Sequence, residues 1–240
     1  MRNEPYFSEE TLRFFRGLKR NNRREWFEER REIFERAVKA PMLALIERVT
    51  EGMAAYAPQH VRPAAKCLFR IYRDTRFSAD KTPYKTHLGA WWSRQGMEKT
   101  SGAGYYLHVS ATEFVIAAGT FMPEKEQTLA IRRKLLEDHA EWKRLIEDRG
   151  LLRAFMVHDP LALSRPPKGF PSEHPAMEWI KWRQWGVTMH LPGEEALRAD
   201  LAAQVERRFR LATPLVEFLN APLAQPERPR RVLIHSLPRR

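Results

Sequence analysis

One cysteine, Cys67, stands among 240 residues. It excludes an internal disulfide and any zinc site that needs two or more thiolates. A reducing compartment is its natural setting. No stretch approaches the roughly 18 uncharged apolar residues of a membrane span, and the opening MRNEPYFSEE lacks the apolar run of a secretory signal. These absences predict a cytoplasmic protein without a membrane partner. Eleven glycines and 17 prolines exclude collagen-like and low-complexity chains. No Gly-x-Ser-x-Gly elbow, dinucleotide fingerprint or His-Glu-x-x-His occurs. Pro167-Lys168-Gly169, with its one glycine, is not a Walker-type phosphate loop.

Positive charge is abundant instead. Lys and Arg total 42 against 30 Asp and Glu, a net charge of +12 with pI near 10.1. At 43% apolar, with seven Trp and thirteen Phe, wholesale disorder is excluded. The length suits one large domain. The last stretch, 225–240, is proline-rich and carries Arg228, Arg230, Arg231, Arg239 and Arg240 against Glu227. It reads as a disordered basic tail behind a single domain at 1–224. Within that domain, Lys66–His87 holds six Lys/Arg against Asp74 and Asp80. That is half of the domain's net charge in roughly a tenth of its length. Lys19–Lys39 mixes both signs and reads as a solvated helix face.

Apolar periodicity orders the rest. Ser8 caps a helix carrying Leu12, Phe15 and Leu18. Asn22 with Glu25 looks like a capping-box start for a second helix with Trp26, Phe27, Ile33, Phe34 and Val38. Pro41 begins a third, striped by Met42, Leu45, Ile46, Val49 and Met53. The middle turns to strands: Cys67–Tyr72, His87–Ser93, then Tyr105–Ser110 and Glu113–Ala118 as a hairpin across two residues. Helical spacing resumes after Pro123 and runs to Gly150. Pro175 opens a short helix with Trp179 and Trp182, and Trp185–Leu191 is a further strand. A last long helix over Leu197, Leu201, Val205 and Phe209 breaks at Pro214. Helices, then strands, then helices predict an α+β fold. Its antiparallel sheet has about four to five strands, flanked by N- and C-terminal helices.

The run Arg70-Ile-Tyr-Arg-Asp-Thr-Arg-Phe-Ser-Ala-Asp-Lys-Thr-Pro-Tyr-Lys85 carries the most information. A full face of charge is not buried without partners, so the strand ends near Tyr72–Arg73 and a loop follows. Arg70, Arg73, Arg76, Lys81 and Lys85 suit phosphate, since guanidinium offers a planar fork and ammonium a point charge. Tyr72 and Tyr84 would shape such a site, and Asp74 and Asp80 would orient the arginines. The candidate partner is therefore a phosphate-bearing or other anionic small molecule. A nucleic-acid-associated protein is the second reading, resting on the loop and the basic tail. A structural domain whose motif is an internal salt-bridge network is the third.

The same run resembles the signature of the domain of unknown function 2461 family, found widely in bacteria and fungi. The matching residues are Arg70-Ile71-Tyr72-Arg73-Asp74, Arg76-Phe77-Ser78, Asp80-Lys81 and Pro83-Tyr84-Lys85. Phe15-x-x-Leu18-x-x-Asn21-Asn22-x-x-x-Trp26-Phe27 is similar to the family's opening. Tyr105-Tyr106-x-His108, Gly119 with Pro123, and Pro167-Lys168-Gly169-Phe170 follow in the expected order. The likeness spans roughly residues 7–220. Around Gly119 the chain departs from the pattern, with Phe121 where the family carries Trp. The resemblance implies no activity, cofactor or catalytic residue.

Other constellations carry blander readings. Asp74, Asp80 and His87 have the chemistry for a hard divalent cation, but five surrounding cations already neutralise the two carboxylates, so no metal site is assigned. His108 shares a strand face with Tyr106 and Ser110, as either a general base or a hydrogen-bonded core histidine. His158-Asp159 reads as a turn. Trp91, Trp92, Trp179, Trp182 and Trp185 are core, or a stacking platform for bases. Cys67 reads as an inert buried thiol.

Overall fold

Ser8 and Thr11 open the first helix as a reciprocal cap, Ser8 N–H donating to Thr11 Oγ1 at 3.2 Å. The structure is a computed structural model and describes residues 4–98 and 100–223. The tail predicted at 225–240 lies outside the described residues. Helix α1 (Glu9–Arg20) places Glu9 and Glu10 at its positive end and Lys19 and Arg20 at its negative end, and buries Leu12, Phe14, Phe15 and Leu18. Helices α2 (Arg24–Glu28) and α3 (Arg31–Phe34) follow. Arg23, not Asn22, takes the cap position of α2; Asn22 is used elsewhere. Pro41 stands one residue inside the start of its helix, close to where the sequence places it, but that helix does not start free. Helix α3 runs through a π-turn (Glu35–Lys39) into α4 (Ala40–Met53), with Pro41 just inside. Pro41 interrupts the hydrogen-bond ladder by lacking an N–H, and a π-turn is one way a helix absorbs such an interruption.

The predicted strand Cys67–Tyr72 does not form. Ala64 and Ala65 are strong helix formers, and Ala64–Cys67 is the one-turn helix α5. Beyond it the chain makes only single bridges, Leu68 to Ala90 and Tyr72 to Tyr84. Strands β1 (His87–Trp92), β2 (Gly104–Ser110) and β3 (Glu113–Thr120) come next. Helices α6 (Lys125–Glu137), α7 (His139–Ile146) and α8 (Arg149–Ala154) divide what periodicity read as one helical stretch. The two-residue strand β4 (Met156–Val157), helix α9 (Met177–Ile180), strand β5 (Trp185–Pro192) and helix α10 (Leu201–Asn220) complete the fold. Pro214 sits inside α10 without breaking it. One lost rung is outweighed by Leu215, Val216, Phe218 and Leu219, which all bury beyond it.

The fold is a single α+β domain. Its five strands are antiparallel in the order β1-β2-β3-β5-β4. Strand parity gives the sheet two different faces. One face holds Leu88, Ala90, Trp92, Tyr105, Leu107, Val109, Phe114, Ile116 and Val187, all buried. Helices α4 and α10 cover it. Phe209 of α10 lies 5.3 Å from the Trp92 ring and 5.0 Å from Tyr105, and Trp92 Nε1 donates to Thr50 Oγ1 of α4 at 2.8 Å. The opposite face carries His87, Trp91, Tyr106, His108, Glu113, Thr188 and His190. Across it β3 pairs with β5 closely: Gly119, opposite Gly186, has φ +134°, and a Cβ there would run into Trp185 O.

Candidate functional site

On that second face three strands bring five polar side chains into one hydrogen-bonded chain. β2 contributes Tyr106 and His108, which are two apart and so share a face. β3 contributes Glu113, just past the two-residue hairpin turn. β5 contributes Thr188 and His190, the latter opposite Val115. Tyr106 Oη lies 3.0 Å from His108 Nδ1, and His108 Nε2 lies 3.2 Å from Glu113 Oε1. Glu113 Oε2 is 3.1 Å from His190 Nδ1, and His190 Nε2 is 3.4 Å from Thr188 Oγ1. One proton arrangement satisfies every link: each imidazole donates to the carboxylate and accepts from a hydroxyl. The His87 ring packs 4.6 Å from that of His108.

Burial sets the protonation of this chain. It holds His108 below the ordinary imidazole value, and the neighbouring Glu113 only partly offsets it. It pushes Tyr106 up to about 12. His87 falls to about 4 through burial, with His108 and Lys85 adding repulsion. Burial would raise Glu113, but hydrogen bonds and charge from His190 and His108 bring it below its ordinary value. At neutral pH the result is a neutral His108 standing between the Glu113 carboxylate and a protonated Tyr106.

A cavity of about 370 Å³ lies over these groups. Val115 and Ala117 form its floor, Trp91, Phe69 and Phe121 its walls, and Tyr106, His108, Thr188 and His190 its polar end. Its mixture of apolar wall and few converging polar groups is typical of small-molecule sites.

The basic motif 70–85 stands beside this face as a short arm, closed by Arg73 N–H to Pro83 O at 2.9 Å and Lys85 N–H to Ile71 O at 2.8 Å. Most of its charge is internally matched. Arg76 grips Asp74 with two contacts, at 3.0 and 2.8 Å, and pulls that carboxyl down to about 2. Arg73 pairs with Asp80 and Thr82, and Thr82 N–H donates to Asp80 Oδ1 at 2.9 Å; together they bring Asp80 to about 2. Lys81 donates to Thr75 O at 2.9 Å. Tyr84 is buried, stacked on Phe27 at 4.2 Å. Its backbone is clamped by Asn22, which both donates to Tyr84 O (2.9 Å) and accepts from Tyr84 N–H (3.1 Å). Tyr72 is partly exposed and receives Arg31 Nη2 at 3.4 Å. Arg70 is exposed, and Lys85 Nζ lies 5.1 Å above the Phe69 ring, itself a wall of the cavity. The motif thus brings Lys85 near the open face, places Arg70 at a separate cavity with Phe27, Arg31 and Tyr72, and keeps Arg73, Asp74, Arg76, Asp80 and Lys81 in a loop apart.

Among the described residues, no group of three or more His, Cys, Asp or Glu side chains is placed to hold a metal ion, and no helix is long and apolar enough to cross a membrane. Trp92 and Trp185 are fully buried, and Trp91 alone of the five singled-out tryptophans lines the cavity. Sequence reading singled out His108 but missed Glu113, Thr188 and His190. Their signal was alternation: Gly186, Thr188 and His190 interleave with Val187, Met189 and Leu191, as Tyr106, His108 and Ser110 do with Leu107 and Val109.

A family model described as "Conserved hypothetical protein (DUF2461)" matches residues 10–218. Among curated proteins none matches the chain.

Proposed function

The chain belongs to the DUF2461 family, and from that premise, which brings no reaction with it, we propose that the open sheet face binds a small anionic organic ligand and acts on it by proton transfer. The observation that carries this reading is the Tyr106–His108–Glu113–His190 chain at the polar end of a cavity of about 370 Å³. His108 is neutral at pH 7, so its Nδ1 can take a proton. Tyr106 keeps its own proton and points its remaining lone pair away from His108. When the Tyr106 oxygen takes a proton from a bound ligand, its own proton passes to His108 Nδ1, and Glu113 stabilises the imidazolium. His190 holds the second carboxylate oxygen and fixes the orientation of Glu113. The ligand's apolar body packs on Val115, Ala117 and Trp91.

The anionic character rests on Lys85, with Arg70 beside it. Among the described residues Arg70, Lys81 and Lys85 form no ion pair, and of these Lys85 stands against the cavity wall, its Nζ 5.1 Å from the Phe69 ring. The nucleic-acid alternative draws chiefly on the segment 225–240, which lies outside the described residues.

A thermal-shift screen tests the reading. The probes are organic acids, nucleotides, sugar phosphates and oligonucleotides, against the wild-type chain, Tyr106→Phe and Ala117→Leu. A ligand at a hundred times its dissociation constant adds about 2.7 kcal/mol, which is roughly 5–10 °C for a domain of this size. The expected result is a small-molecule shift that Ala117→Leu abolishes by filling the floor. Shifts from polymers alone, or a shift unchanged in Ala117→Leu, overturn it.

A further inference from the structure

A second cavity, of about 950 Å³, adjoins the first and shares Phe121 and Met122 as walls. Four cations line it: Lys125 and Arg132 from α6, Lys168 from the proline-rich loop and Arg183 after α9. Among the described residues no carboxylate does. Among the described residues, none of the four makes an ion pair. The acids adjacent in sequence do not line it: Glu124 caps α6, Glu126 lies at a different cavity, and Asp159 accepts Leu161 N–H at 3.0 Å.

Arg132 is the unusual member. It is only 8% exposed. One nitrogen, Nη2, donates to Trp182 O at 3.1 Å, while Nε is buried with no hydrogen-bond partner. A buried guanidinium is ordinarily matched by an acid, because an unmatched one carries the full cost of lost hydration. Burial and the nearby Arg183 both hold its pKa below the ordinary value, though a guanidinium stays charged at neutral pH. An anion held here would relieve the desolvation and the repulsion together.

We infer that this cavity holds the phosphate of a small organophosphate whose organic body lies across Phe121 and Met122 in the sheet cavity. The inference rests on the open face being a ligand site and names the class of that ligand. Phosphate fits better than a lone carboxylate. It offers several acceptor oxygens for planar forks and point charges, and a charge near −2 for four cations. A small ligand fits better than a nucleic acid, because the cations line a recess next to an aromatic cavity rather than a strip along the surface.

Calorimetric titration of the full chain tests it, with inorganic phosphate, adenosine monophosphate, glucose 6-phosphate and a short oligonucleotide as probes. The variants are the exposed pair Lys168→Ala/Arg183→Ala, Arg132→Met and Ala117→Leu. Inorganic phosphate is expected to bind wild-type protein and Ala117→Leu equally, and to bind the paired variant at least about tenfold more weakly, since hydrogen bonds to charged groups are the strong ones. An organophosphate is expected to weaken in both. The paired variant changes only exposed side chains, so it keeps the test decisive if Arg132→Met fails to fold. Equal phosphate affinity in wild-type and paired variant overturns the inference. If neutral organic ligands still bind and are lost in Ala117→Leu, that result leaves the sheet-face reading standing alone. Organophosphate binding that ignores Ala117→Leu overturns the two-part ligand. An oligonucleotide that binds more tightly than the monomeric phosphates overturns the small-ligand class.

Discussion

His87 makes the fold acid-sensitive in a way the structure quantifies. Its imidazole titrates near 6.5 in an unfolded chain and at about 4 in the fold, first because it is buried, then because His108 and Lys85 repel a proton there. The folded value is depressed, so the contribution to stability is whole above pH 6.5. It is lost progressively as the pH falls toward 4, while the unfolded chain takes up a proton that the fold refuses. At pH 5 the unfolded state has gained about 2 kcal/mol from this one group, at about 1.4 kcal/mol for each pH unit below 6.5. For a domain of this length that is about 4–8 °C in melting temperature. The assay is thermal unfolding of wild-type protein and His87→Gln at intervals from pH 7.5 to 5.0. The difference between the two isolates His87 from His60, also held at about 4 by burial, and from the carboxylates Asp74 and Asp80, which titrate only near 2. The wild-type curve should fall more steeply by the stated amount. Parallel curves would refute the burial argument, and with it the neutral state assigned to the adjoining His108.

Four further outcomes follow from single contacts. Asn220 is fully buried and satisfies both backbone groups of Ala103, accepting its N–H and donating to its carbonyl, each at 2.9 Å; Asn220→Ala strands both and should cost about 2–4 kcal/mol in urea unfolding. Gly119→Ala places a methyl group against Trp185 O at φ +134°, and should cost at least about 3 kcal/mol, with loss of β3–β5 amide protection in hydrogen exchange. Asn22→Ala releases the Tyr84 backbone. It should cost about 1–3 kcal/mol and speed proteolysis within 70–85, whereas Asp74→Asn, at the exposed end of that arm, should leave the melting temperature within about 2 °C.

The α+β order was legible because its elements are long or strongly patterned. The stripe Met42, Leu45, Ile46, Val49 and Met53 fixes α4, and the hairpin between β2 and β3 follows from alternation across a short turn. What sequence reading got wrong was decided by short-range competition or by packing. Two alanines after Pro63 carry a helical turn through Cys67, the first residue of the predicted strand Cys67–Tyr72, and the rest of that stretch makes only the single bridges at Leu68 and Tyr72. At Pro214 the rule that proline ends helices gives way to the apolar residues that α10 buries on both sides. β4 is too short, and its two side chains too exposed, to leave any periodicity.

The site was hidden for a different reason. The eye goes to charge density, and charge density marks 70–85. There the acids Asp74 and Asp80 already answer Arg76 and Arg73, so the density records an arm that holds its own shape, anchored through Tyr84 on Phe27 and Asn22. The charge we propose to hold a ligand has the opposite appearance. Arg132 is one arginine on an amphipathic helix, and His190 one histidine near a strand end; neither stands out in the linear order. Each is conspicuous only once the fold shows what is missing around it among the described residues: no acid paired with Arg132, and no helix-borne apolar layer over His190. Strand parity could have recovered half of this, since β2 and β5 both alternate polar and apolar side chains and a sheet buried on both faces would not. The other half, an unmatched buried cation, is a property of three-dimensional neighbourhoods and has no one-dimensional signature.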